Sequence, residues 1–120
     1  MTYRDLIVWQ KSMDMVEELY KLIKFLPKEE TYVLSDQMRR AAVSVPSNIA
    51  EGYARNSSKE YVQFLSIAKG SCVELETQLE LAVRLRYFGR EKAEQCSSLL
   101  FEIEKMLTVI QNKLRNSHNP

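Results

Sequence analysis

Few residues of this 120-residue chain have types and spacing suited to chemistry. Glu74, Glu76 and Glu80 lie close together at helical spacing. Three such carboxylates either hold a divalent cation or form an ordinary solvated face. A two-metal bundle uses Glu-x-x-His motifs on facing helices, and the chain has none. Ser47, Ser66 and Ser71 lack a histidine to activate them as nucleophiles, since the single histidine, His118, sits near the C-terminus. No glycine-rich phosphate loop occurs. Cys72 and Cys96 have no metal-ligand spacing and read as buried, reduced thiols. No catalytic residue, cofactor or metal is therefore expected, and the chain reads as a non-enzyme.

What remains is charge and a patterned surface. Arg39, Arg40, Arg55 and Lys59 make one region locally basic, offset by Asp36 and Glu51. One copy is a weak phosphate footprint. Several copies around a ring would sum their potentials across a shared opening. The same residues equally suit a solvated or intersubunit role. Arg40 shares a face with Glu51 and has an internal pair as its alternative, so Arg39, Arg55 and Lys59 are the better phosphate candidates. Tyr53 and Tyr61 nearby either stack on bases or pack in a core or interface.

The patterned surface is a stripe of Gln37, Arg40, Ser44, Asn48, Glu51 and Arg55, interrupted by Pro46 and followed by Gly52. Amides, a hydroxyl and opposite charges at that spacing must meet something specific: a neighbouring helix, another subunit or a polymer. Glu51 and Arg55 stand in the favourable i,i+4 order, which contributes only a few tenths of a kcal/mol when exposed. Gly70 sits mid-helix, where glycine costs roughly 1 kcal/mol against alanine. Gly52 and Gly70 thus mark close approach of another helix or a ligand contact.

Four helices must position these residues. Helix one is expected over about residues 4 to 25, with a seam of Leu6, Trp9, Met13, Val16, Tyr20 and Ile23. Helix two, about 35 to 55, carries Leu34, Met38, Ala41, Val45 and Ile49 inward and starts on a Ser35 cap. Pro46 kinks it or splits it. Ser57 and Glu60 form a capping-box pattern for helix three, about 58 to 87, with Gly89 as its stop. Helix four, about 90 to 115, carries Ala93, Cys96, Leu100, Ile103, Leu107, Ile110 and Leu114 inward, and residues 116 to 120 read as a disordered tail. Short connections make this a single all-α domain, an antiparallel up-and-down four-helix bundle.

Composition agrees. At 45% hydrophobic residues the chain builds a core, while three glycines and three prolines leave little turn chemistry for a sheet. Seventeen Lys+Arg against sixteen Asp+Glu give a net charge of +1, so any basic patch comes from arrangement. No secretory segment and no apolar span of about 20 residues is present; a cytoplasmic location without membrane contact is expected. The apolar stripes exceed one seam. Leu19, Leu22, Val62, Phe64, Val73 and Leu81 lie beside or off the seams, which points to self-association.

Several runs together carry a family likeness: Val8-Trp9-Gln10-Lys11, Leu26-Pro27-Lys28-Glu29-Glu30, Gln37 through Gly52 including Arg39-Arg40-Ala41-Ala42 and Asn48-Ile49-Ala50-Glu51-Gly52, and Ala68-Lys69-Gly70-Ser71 followed by Glu74-Leu75-Glu76-Thr77. They resemble the four-helix-bundle proteins first met as reading frames in intervening sequences of bacterial 23S rRNA genes. The resemblance implies a homopentamer around a central opening. It also brings in the accessory proteins of diversity-generating retroelements, pentameric bundles that associate with a reverse transcriptase and nucleic acid. No catalytic residues come with the family. Two functions follow as expectations: an oligomeric protein that binds RNA or other nucleic acid, or an interaction scaffold for a partner enzyme such as a reverse transcriptase.

Overall fold

Four α-helices follow one another along the chain: α1 (Ile7–Ile23), α2 (Leu34–Tyr53), α3 (Ser58–Arg84) and α4 (Arg90–Asn116). Short 3-10 turns at Tyr3–Asp5 and Lys28–Glu30 precede α1 and α2. The structure, a computed structural model, describes residues 1–117, and no strand occurs among them. Asn116 is still helical, so the expected disordered tail does not take in residue 116; the rest of that expectation, from His118 on, lies outside the described residues.

The helix ends depart from expectation for local reasons. Thr2 caps the first 3-10 turn, its hydroxyl accepting from the Arg4 N–H at 3.2 Å. Leu6 then turns extended, and α1 starts at Ile7 rather than near residue 4. Helix α2 starts at Leu34, so Ser35 does not cap it but is buried in the first turn. The Glu30 carboxylate accepts the Leu34 N–H at 3.4 Å. Ser57 caps α3 as its pattern requires, accepting from the Glu60 N–H at 3.1 Å. Gly89 does not stop α3. That helix ends at Arg84, and Arg86 makes the left-handed turn at φ 66°. Gly89 instead opens α4, in extended conformation. Helix α2 runs unbroken through Pro46, so the split reading does not hold. The ring still removes the N–H that would have bonded the Ala42 carbonyl.

Side-chain ties run the helices antiparallel. At one end Arg90 of α4 meets Glu80 of α3. At the other, Gln111 of α4 donates to the Val62 carbonyl at 3.1 Å and the Ser66 hydroxyl at 2.8 Å. Ser71 of α3 meets Ser44 of α2, and Lys11 of α1 meets Glu102 of α4. Each helix packs on two neighbours, α1 and α3 each against α2 and α4, in a rod of 52 × 23 × 21 Å. No helix among the described residues is long and apolar enough to cross a membrane.

The core confirms the expected seam of α2, and that of α4 as far as Leu107, and moves that of α1. Met38, Ala41, Val45 and Ile49 of α2, Leu65, Ala68, Cys72 and Leu75 of α3, and Cys96, Leu100, Ile103 and Leu107 of α4 are all buried. In α1 the buried row is Val8, Ser12, Met15, Leu19 and Leu22. The row expected there is only partly covered, and Met13 and Tyr20 remain exposed. Leu19 and Leu22 therefore belong to the core, not to a subunit contact. The serine in the true seam is satisfied locally: its hydroxyl donates to the Val8 carbonyl at 2.7 Å.

Candidate functional site

The four cations singled out in the sequence do not form one patch. Arg39 and Arg40 lie in the first half of α2, whereas Arg55 follows its end and Lys59 opens α3. The fourteen residue steps from Arg39 to Tyr53 span about 21 Å of helix. Arg39 donates to the Thr31 carbonyl at 3.1 Å and lies 4.0 Å from Asp36. Arg40 donates to Asp36 at 3.1 Å, not to Glu51. Glu51 is taken by Arg55 at 3.4 Å, and the Arg55 guanidinium also sits 4.7 Å over the Phe64 ring. Lys59 is exposed. Tyr53 and Tyr61 are half-buried and meet edge-on at 6.0 Å, a packing arrangement.

The polar stripe divides into an inner and an outer part. Ser44, Asn48 and Ser71 form a closed node between α2 and α3. The Asn48 amide donates to the Ser44 carbonyl at 2.8 Å and to the Ser44 hydroxyl at 2.9 Å. The Ser71 hydroxyl donates to the same Ser44 oxygen at 2.8 Å. Gln37, Arg40, Glu51 and Arg55 face outward. Pro46 leaves the stripe altogether: it is buried toward α1, in a groove with Trp9, Met13, Val16 and Ala50.

The two glycines also part. A Cβ on Gly52 would come within 2.7 Å of the Phe64 Cβ, so this glycine lets α3 approach α2. Gly70 is exposed, and a Cβ there would meet nothing within 4 Å. Among the described residues no other helix packs over it. Beside it on the outer face of α3 lie Ile67 and Val73, with Leu81 about three turns further along, each about half-exposed.

The carboxylates are partnered, and among the described residues no cluster of three potential metal ligands forms. Glu74 accepts from Gln78 at 3.5 Å. Arg90 and then Arg84 hold the exposed Glu80 carboxyl down to about 2. Sequence reasoning missed one feature, the meeting of Glu76 with Glu104 across α3 and α4. Burial, and next the hydrogen bond with Glu76, push the Glu104 carboxyl up to about 7, against the pull of Lys69. Burial likewise pushes the Cys72 and Cys96 thiols up to about 12, which makes them inert.

A similar arrangement of helices is known. A protein with unknown function from the S23 ribosomal protein family of Bacteroides thetaiotaomicron superposes with a TM-score of 0.80 at 33% sequence identity, covering 88% of this chain and 98% of that one. No curated protein matches the chain. The family model of the 23S rRNA-intervening sequence protein matches residues 4–109, a span that takes in α1, α2 and α3 whole. The chain belongs to the 23S rRNA-intervening sequence protein family.

Proposed function

We propose that the chain works as a non-enzymatic homo-oligomer, a pentamer, that binds RNA. Gly70 carries the assembly part of this reading. A mid-helix glycine is costly, nothing among the described residues uses the space above it, apolar Ile67 and Val73 flank that space, and Leu81 lies further along the same face. A helix of a second subunit would bury those side chains and use the close approach that glycine permits. The outward Gln37, Arg40, Glu51 and Arg55 border the same face and give such a contact its register.

The family's name joins it to an intervening sequence of 23S rRNA, which supports RNA as the ligand. Assembly would repeat Arg39, Arg55 and Lys59 in every subunit and sum their fields. The test has two steps. Light scattering at micromolar concentration should report about five times the 14.0 kDa chain, and Gly70→Leu should lower that mass. A monomeric wild type would remove the assembly. Fluorescent RNA should then bind the wild type and bind more weakly to the Arg39→Gln, Arg55→Gln, Lys59→Gln triple variant. Equal binding by both would move the site elsewhere.

One observation favours the scaffold reading instead. Arg39, Arg40 and Arg55 already have acceptors within their own chain, so phosphate must compete for them. Absence of RNA binding at low salt, with a protein partner that co-purifies after nuclease treatment, would decide for the scaffold.

A further inference from the structure

The α1–α2 and α3–α4 connections lie together at one end of the rod. Two contacts pin them. The Tyr87 hydroxyl donates to Glu30 at 2.7 Å, and the Lys92 ammonium lies 4.6 Å over the Phe25 ring. The result is a surface built from residues 24–33 and 85–92.

Its charges are unevenly matched. Arg90 is engaged by Glu80, and Glu30 by Tyr87 and the Leu34 N–H. Among the described residues Lys24, Lys28, Arg86 and Lys92 have no carboxylate within ion-pair distance. Only Glu29 and Glu91 stand against them on this surface, likewise without an ion pair. Two rings are exposed on this surface: Tyr32 is 90% exposed, and Phe25, 49% exposed, carries the Lys92 ammonium over one face and leaves the rest of the ring to solvent. The opposite end differs. Its rings are half-buried and pack edge-on, Tyr3 with Trp9 at 5.3 Å and Tyr53 with Tyr61 at 6.0 Å.

Arg86 adds a second, independent observation. At φ 66° it holds the left-handed position of a helix C-cap, with the Tyr87 N–H donating to the Ala82 carbonyl and the Arg86 N–H to the Val83 carbonyl, both at 3.0 Å. Glycine fills that position without strain. A long cation kept in a strained turn points to a use for its side chain, and the turn sets that side chain on this surface.

Unpaired cations beside exposed rings are what a single strand needs, because every base has a face to stack and every nucleotide a phosphate to neutralise. We infer that this end of the bundle is a platform for single-stranded RNA, where Phe25 and Tyr32 stack bases and Lys28, Arg86 and Lys92 contact phosphates. The inference rests on the RNA-binding reading above and adds a contact to it, at the end of the rod where Arg39 meets Thr31 and away from Arg55 and Lys59.

The probe is a fluorescein-labelled single-stranded oligouridine, with a duplex RNA of equal length beside it, titrated into the full chain over a range of salt. Tyr32→Ala should cost about tenfold in affinity for the single strand, the loss of one base stack. Arg86→Gly with Lys28→Ala should flatten the salt dependence by about 1.4 in log–log slope, or about 0.7 per lost phosphate contact. Arg86→Gly should meanwhile raise the melting temperature, which separates lost contact from lost fold. Wild-type binding with these variants unchanged, and loss on neutralising Arg55 and Lys59, would overturn the platform and leave RNA binding standing. Tighter binding of the duplex would overturn it too, since paired bases offer no free faces. Failure of the wild type to bind either RNA would overturn both readings.

Discussion

Glu104 is the residue whose ionisation the fold changes within the physiological range. Its folded carboxyl is raised from 4.5 to about 7, because α3 and α4 bury it against Glu76. The native chain thus keeps a proton that the unfolded chain releases. The stability this contributes is fully present below about pH 4.5 and is lost as pH rises through about 7. Glu80 acts in a different window: its depressed value matters only below pH 4.5. Glu104→Gln should therefore flatten the melting temperature between about pH 5 and about pH 8, and should raise it at the upper end, where the two carboxylates repel. If wild type and Glu104→Gln fall in parallel, the carboxyl pair does not govern that slope. Nothing in the local sequence announces this pair. It exists only once α3 and α4 are set in antiparallel register, so a reader of helical spacing sees Glu76 beside Glu74 and Glu80, weighs a cation against a solvated face, and has no sight of Glu104.

At the scale of elements, seams made of apolar residues alone were readable and seams containing polar residues were not. Helix α2 shows the first case: Leu34, Met38, Ala41, Val45 and Ile49 are buried as their spacing requires. Helix α1 shows the second. Its apolar residues occupy two overlapping rows, and the buried one passes through Ser12, whose hydroxyl bonds back to Val8. Gln111 does the same in α4: it is buried where Ile110 was expected, because its amide reaches across to α3. The cation cluster was legible as composition but not as geometry, since helix rise carries Arg39 and Arg55 to opposite ends. Gly52 and Gly70 looked alike in sequence, yet only one faces a helix. They should respond oppositely to alanine. Gly52→Ala drives a methyl group into the Phe64 side chain and should destabilise by about 1–3 kcal/mol. Gly70→Ala should stabilise the isolated subunit by roughly 0.5–1 kcal/mol. Urea unfolding of the two variants checks this, and a Gly52→Ala as stable as wild type would mean that the α2–α3 contact is looser than its geometry.

The whole molecule carries two surfaces that should answer to salt in different ways. The face around Gly70 is apolar at Ile67, Val73 and Leu81, and association through it would draw on burial of carbon, which added salt does not screen. The exposed cations act by a different force. With a net charge of only +1, the proposed attraction to RNA would arise from local clusters at the ends, where each neutralised phosphate would release a counterion. Raising sodium chloride from about 50 mM to about 500 mM should thus leave the mass of the assembly unchanged and weaken RNA binding by one or more orders of magnitude. Light scattering and RNA titration on the same samples make the comparison. A mass that falls with salt would shift the assembly from Ile67, Val73 and Leu81 to the ionic Arg40, Glu51 and Arg55 beside them. Binding that ignores salt would exclude phosphate as the group recognised.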